Sequence, residues 1–303
     1  MTALRRTLAS PTRRRDMLWA YIFLAPFILG FFLWQAGPLL LSLYYSFTEY
    51  DLLQPERWVG LANYQRMVDD RLFGVSLVNT AIYTAMSVAI YLIFSLGGAL
   101  LLNAKLRGIS FFRLVVYLPS QLPLVASAVI FLWIFEPTFG VANYILQTIG
   151  IEPQMWLFDP VLAKPTLAIM GIWGIGTGII IFLAGLQSVP ESLYDAAKVD
   201  GAGTVRQFWH VTLPMVSPVI LFSLIISIIG SFQVFDLAYI MTQGGPGTET
   251  LFYVLYIYRN GFEFFRMGYA SALAWVLFLI ILALTFINFR ASGRWVHYEV
   301  STQ

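Results

Sequence analysis

Residues 76–102 read SLVNTAIYTAMSVAIYLIFSLGGALLL, with no Asp, Glu, Lys or Arg among them. A bilayer core about 30 Å thick needs about 20 mostly apolar residues in a helix that rises about 1.5 Å per residue. The stretch exceeds that length and carries no charge, so it reads as a membrane-crossing helix. Five more stretches meet the same criterion, at 18–47, 112–135, 161–186, 214–242 and 268–290. The composition agrees. Of 303 residues, 59% are hydrophobic and 11% charged, whereas a soluble domain is about a quarter charged. A water-soluble globule cannot hide that much apolar surface. The expected fold class is therefore an all-α membrane protein with six transmembrane helices. The first span carries Pro26, Gly30, Gly37 and Pro38, which predicts a kink. The third holds Pro119 and Pro123, whose freed backbone groups need partners inside a bundle.

Basic residues set the orientation. Arg5, Arg6, Arg13, Arg14 and Arg15 precede the first span. Placing them in the cytoplasm also puts Lys105, Arg107, Arg113, Lys198, Arg206, Arg290 and Arg294 there. Arg57, Arg66, Arg71, Lys164, Arg259 and Arg266 then lie outside, with most of the acidic residues. Both termini are predicted cytoplasmic. Thr12-Arg13-Arg14 loosely resembles a twin-arginine signal, but the apolar run behind it is too long for a signal core. The expected organisation is a basic cytoplasmic segment at 1–17, one six-span domain at 18–290 and a cytoplasmic tail at 291–303.

The connecting segments are short, which leaves no room for a soluble catalytic domain. The outer loop 48–72 contains Gly60-Leu61-Ala62-Asn63-Tyr64. In 136–160, Glu136-Pro137, Gly140, Gly150 and Pro153 suggest turns around a short surface helix. Gln243-Gly244-Gly245-Pro246-Gly247 is a strong stop after the fifth span. The 187–213 loop is unusual. Ser188 and Glu191 have capping-box spacing, and Pro190 suits a first helical turn. Glu191 favours the positive end of the helix dipole, and Gly201 can take the left-handed conformation that ends a helix. A second short helix follows Gly203-Thr204, with Val205, Phe208, Trp209 and Thr212 on one stripe facing lipid or protein. The loop thus reads as helix, glycine turn and helix along the cytoplasmic surface. It serves either as an ordinary connection or as a docking element.

Several chemistries are excluded. There is no cysteine and there are only two histidines, His210 and His297, so thiolate catalysis and a metal cluster are not expected. No Gly-Lys pair exists, so the chain has no P-loop of its own. Gly171, Gly174, Gly176 and Gly178 lie inside a span and follow no strand. Close helix packing explains them better than a dinucleotide or substrate site. Asp236 is the exceptional charged residue away from the span ends, and a charge at mid-membrane costs roughly 2.5–3.5 kcal/mol on insertion scales. With Gln233, Ser231 and Ser227 nearby, it either lines a polar path or bonds a neighbouring helix near the membrane edge. Asn79, Gln121, Thr177 and Ser271 are weaker candidates. The tryptophans within spans, Trp34, Trp133, Trp173 and Trp275, are explained by packing and interface belts.

Asp195-Ala196-Ala197-Lys198-Val199-Asp200-Gly201-Ala202, followed by Phe208 and Leu213-Pro214, resembles the EAA loop of ABC-importer permeases. The departure is Asp195 in place of the usual Glu, which keeps the charge on a shorter arm. Gly60-Leu61-x-Asn63-Tyr64, Asn79-Thr80, Leu118-Pro119, Phe235-Asp236, Thr242-Gln-Gly244-Gly245-Pro246 and Val296-x-Tyr298-Glu299 resemble the carbohydrate-uptake branch, of maltose-transporter first-permease type. The resemblance runs from Ala25 to Glu299. It implies a non-catalytic permease whose coupling helix, between spans four and five, docks on a cytoplasmic ATPase through Asp195, Ala196, Ala197, Asp200, Gly201 and Pro214. It further implies a place in a bacterial or archaeal plasma membrane, a second, homologous permease, two ATPase subunits that hold ATP and Mg, and an extracytoplasmic solute-binding protein. No cofactor, metal or nucleic acid is expected on this chain itself. The solute would be a sugar or oligosaccharide, with polyols and glycerol phosphate as alternatives. The absence of Lys and Arg away from the ends of the spans mildly favours a neutral one. Gly174 and Thr177 of span four and Ser231, Gln233 and Asp236 of span five are the expected cavity residues. An ion-coupled secondary transporter is the competing class. Inverted repeats and broken midplane helices mark that class, and the sequence shows neither.

Overall fold

The computed structural model describes residues 11–104 and 106–297, with the side chains of 11–14 excepted. The Val296-x-Tyr298-Glu299 motif lies partly outside the described residues, as do Arg5, Arg6 and Lys105. The chain divides into two compact units. One runs to Met67 and includes Asn260–Trp275; the other comprises Val68–Arg259 and the chain from Val276.

In the first unit a single helix, Arg15–Ser46, is long and apolar enough to cross a membrane. Where the sequence predicts a kink, the helix carries a π-turn at Phe32–Ala36, which closes with the Gly37 N–H donating to the Phe32 carbonyl. Pro38 has no N–H to give, and the wider turn absorbs that loss without ending the helix. A Cβ on Gly37 would stand 2.8 Å from that carbonyl oxygen. The apolar side chains of this helix are exposed along its length, as Phe23 and Trp34 illustrate. They suit lipid rather than water. Thr48–Glu49 and Arg57–Trp58 then form an antiparallel hairpin, with Thr48 opposite Trp58. Asn63 explains part of the Gly60–Tyr64 motif. Its buried amide donates to the carbonyls of Ser46 at 2.9 Å and Thr48 at 2.8 Å, which fastens the hairpin to the helix end.

The second unit is built around the Arg71–Leu102 helix. Asp70 caps it, accepting the N–H groups of Leu72 at 2.9 Å and Phe73 at 3.4 Å. Three helix pairs bend sharply: Ile109–Gln121 with Leu124–Ile134 by 96°, Ala163–Gly174 with Gly176–Gln187 by 56°, and Thr204–Met215 with Ser217–Phe232 by 66°. By length and composition, three helices among the described residues can cross a membrane, or up to six if each bent pair counts as one span. Proline makes two of the breaks. Pro123 holds Leu122 extended at ψ 142°. Pro214 and Pro218 flank the bend at Val216.

The second short helix expected after Gly203-Thr204 is present, and it runs on as Thr204–Met215 to the bend before Ser217–Phe232. The expected span 214–242 loses its helix at Gln233. The expected stop at Gln243 is present, with Gln243 and Gly244 at φ 47° and 82°. The segment beyond it is not an exposed loop, however. Leu251, Phe252, Tyr253 and Leu255 are among the most buried side chains. The 136–160 segment does hold the expected short helix, Val141–Thr148. Asn143 anchors it, bonding the carbonyls of Pro137 and Gln154 and the Trp156 indole.

The core of this unit gathers Phe182, Leu183, Leu186, Ile179, Ala99 and Val216. Glycine allows the close approach. A Cβ on Gly176 would lie 2.6 Å from the Val116 carbonyl oxygen, and one on Gly178 would lie 2.5 Å from Ser95 Oγ. Helix packing therefore accounts for these two glycines, as expected. Gly171 and Gly174 face open space, and packing does not explain them.

Candidate functional site

Two features of the second unit carry the candidate residues. The first is a cavity of about 540 Å³. The Arg71–Leu102 helix supplies Tyr83, Ser87 and Tyr91 to one wall; the Ser217–Phe232 helix supplies Ser227 and Ser231 to the other. Gln233 and Asp236 close the end where that helix breaks. The break answers the energetic question about Asp236. The residue lies beside irregular backbone at the cavity rather than buried in a continuous span, which is where such backbone is tolerated in a membrane. Ser227 and Ser231 donate back to the carbonyls of Leu224 at 2.9 Å and Ser227 at 2.7 Å. Their oxygens remain acceptors toward the cavity. Three of the expected cavity residues, Ser231, Gln233 and Asp236, thus meet in one place.

Gly174 lies elsewhere, in an adjoining cavity of about 240 Å³ with Ser120, Ser127 and Trp173. The two spaces share Leu124, Gly171 and Leu237 as wall. Thr177 lines neither; its hydroxyl donates to Ser120 Oγ at 3.4 Å. Gln121 ends the short helical turn that precedes the 96° bend. Ser271 is buried in the first unit, and Asn79 serves as a structural clamp. Sequence reading missed Tyr83, Ser87 and Tyr91. Their spacing of four residues puts them on one helical face, a polar stripe in an otherwise apolar run.

The second feature is the Glu191–Val199 helix. Ser188 and Glu191 do not form the expected capping box. The Ser188 hydroxyl donates to the Gly185 carbonyl at 2.8 Å, finishing the preceding helix, and Pro190 stands at the N-cap with no side-chain cap bond. The C-terminal expectation holds. Gly201 sits at φ 73°. The Ala202 N–H donates to Ala197 at 2.8 Å and the Gly201 N–H to Lys198 at 3.0 Å, the paired bonds of a Schellman motif. Asp195, Ala196, Asp200 and Gly201 are exposed, while Ala197 and Pro214 are half-buried. Asp195 pairs with Lys198 at 2.9 Å. The Tyr194 hydroxyl meets Thr212 Oγ1 at 3.0 Å and ties this helix to the next limb. Of the expected stripe, Val205 and Trp209 are exposed, Phe208 is half-buried and Thr212 is buried. Between this helix and the end of the Arg71–Leu102 helix lies a polar groove of about 610 Å³, lined by Asn103, Arg113, Gln187 and Glu191 among others.

Residues 91–296 match the family described as binding-protein-dependent transport system inner membrane component. The chain is 40% identical over 291 residues to the probable ABC transporter permease protein YesP of Bacillus subtilis (strain 168), covering 94% of each chain. It is 37% identical over 278 residues to the sulfoquinovosyl glycerol transport system permease protein SmoG of Agrobacterium fabrum, covering 91% of this chain and 90% of that one. A chain of the crystal structure of a bacterial alginate ABC transporter, in complex with an alginate pentasaccharide-bound periplasmic protein, superposes with TM-score 0.82 at 25% identity. That likeness covers 95% of this chain and 98% of the other.

Proposed function

We propose, for a chain that belongs to the binding-protein-dependent inner-membrane transport components and to their carbohydrate-uptake branch, that it forms half of the path through an ATP-driven sugar or oligosaccharide importer. The cavity walled by Tyr83, Ser227, Ser231, Gln233 and Asp236 carries this reading. Hydroxyl, amide and carboxylate groups beside aromatic rings suit the edges and faces of a polyhydroxylated solute. Six spans with both termini in the cytoplasm would put the Glu191–Val199 helix on the cytoplasmic side. There Asp195, Ala196, Ala197, Asp200, Gly201 and Pro214 would meet an ATPase subunit. Closure of two such subunits around ATP and Mg would move this helix. The chain and a second permease would rock, and the cavity would face the solute-binding protein and the cytoplasm in turn. The lack of basic residues away from the span ends says little about solute charge, since the second permease would supply the other wall. Glycerol phosphate and polyols remain the alternative solutes.

The three bent helix pairs favour a second reading. Broken helices accompany ion-coupled transporters, so that half of the sequence ground for setting the class aside is weakened, while the lack of an inverted repeat still counts against it. Uptake by proteoliposomes containing the chain, a second permease, the ATPase and the binding protein separates the two. Uptake that needs ATP and the binding protein supports the importer. Uptake driven by a sodium or proton gradient without the ATPase overturns it.

A further inference from the structure

Lys164 begins a transmembrane limb, yet its side chain is only 12% exposed. A buried ammonium is tolerated only when it is paired and hydrogen-bonded. Here it forms an ion pair with Glu249 and donates to Asn79 Oδ1 at 3.0 Å. The other end of the Asn79 amide donates to the Thr248 carbonyl at 2.7 Å. Next along the helix, Thr80 Oγ1 accepts the Tyr253 N–H at 2.8 Å. Residues 243–252, which follow the broken end of span five, are thereby stitched to the Arg71–Leu102 helix and to the Ala163–Met170 helix at one node.

The node adjoins the cavity. Phe252, fully buried, packs its ring 4.8 Å from that of Tyr83, and Tyr83 lines the cavity one turn along the helix from Asn79. The far end of the same helix, near Leu102, reaches the groove beside Asp195. At about 1.5 Å per residue the two ends lie about 35 Å apart. The node therefore stands behind Tyr83, at the end of the cavity away from the Glu191–Val199 helix. We propose that Lys164 is a positioning residue for transport: through Glu249 and Asn79 it clasps residues 243–252 behind Tyr83, which holds this end of the cavity shut, and the clasp gives way when that end opens. This inference rests on the proposed permease function, because a clasp of this kind matters only along a path.

A static strut and a clasp that holds the cavity shut differ in leak. The assembled importer is placed in proteoliposomes loaded with radiolabelled glucose, without ATP. Lys164→Met keeps the side chain's length and removes its charge. Loss of charge-assisted bonds should speed glucose efflux by about tenfold, while Lys164→Arg, which keeps charge and donors, should stay as tight as wild type. Should Lys164→Met fail to assemble, Glu249→Gln, at a half-exposed position, carries the same prediction. Assembled Lys164→Met no leakier than wild type, or Lys164→Arg as leaky as Lys164→Met, overturns the proposal. The leak is read without ATP, so it stands or falls separately from ATP-driven uptake by the wild type.

Discussion

Replacing Gly201 by valine tests whether the Glu191–Val199 helix transmits force. Gly201 sits at φ 73°, and its N–H and that of Ala202 close the helix end on Lys198 and Ala197. No heavy atom lies within 4 Å of where its Cβ would be. The substitution therefore acts on the backbone alone and not through a clash. A residue with a Cβ loses about 1–2 kcal/mol in the left-handed region, and a β-branched one stands at the upper end. One to two kcal/mol is a factor of about 5 to 30 in population, here of the closed helix end over a frayed one. In proteoliposomes with ATPase, second permease and binding protein, Gly201→Val should lower solute taken up per ATP hydrolysed. Gly201→Asn should retain more, because Asn tolerates the left-handed region. Wild-type uptake per ATP by Gly201→Val would refute the reasoning.

Asp195→Lys removes an exposed ion pair worth under about 1 kcal/mol, so thermal stability should hold while co-purification with the ATPase falls; unchanged co-purification removes Asp195 from the contact. Asp236→Ala and Gln233→Ala, at positions that line the cavity rather than the packed core, should leave the melting temperature in place and reduce uptake, and normal uptake by both argues against the cavity as the path. Gly176→Ala presses a methyl group against the Val116 carbonyl oxygen and Tyr117 Cα, which should cost about 1–3 kcal/mol and lower the melting temperature. Gly174→Ala meets nothing within 4 Å and should fold normally, so equal melting temperatures for the two would contradict the division of the glycines.

The apolar runs announce the helices because hydrocarbon leaves a backbone little alternative to internal bonding. Hydropathy is blind to direction, however. The stretch from Thr204 to Phe232 reads as a short helix followed by a span, and only the structure shows the 66° bend that joins the two at Val216. Gly201 is legible because one residue's conformational freedom decides that turn. The role of Ser188 is not, since its hydroxyl has two helices within reach and bonds the earlier one. Asp236 and Gln233 stand out as polar residues in an apolar run. Tyr83 and Tyr91 do not, because aromatic residues are common in spans and only their shared face sets them apart. Lys164 reads in sequence as one more loop cation. Its partner Glu249 is distant along the chain, and no local spacing links the two.

The central claim is that the Glu191–Val199 helix is where an ATPase grips this chain. The chain has no cysteine, so Val199→Cys, at an 89% exposed position, gives a single reactive site. Cross-linking from it in the transporting assembly should capture the ATPase subunit and should change in yield between nucleotide-free and ATP-bound states. Capture of the solute-binding protein instead, or labelling of the introduced thiol by a membrane-impermeant reagent from outside intact cells, would contradict the account.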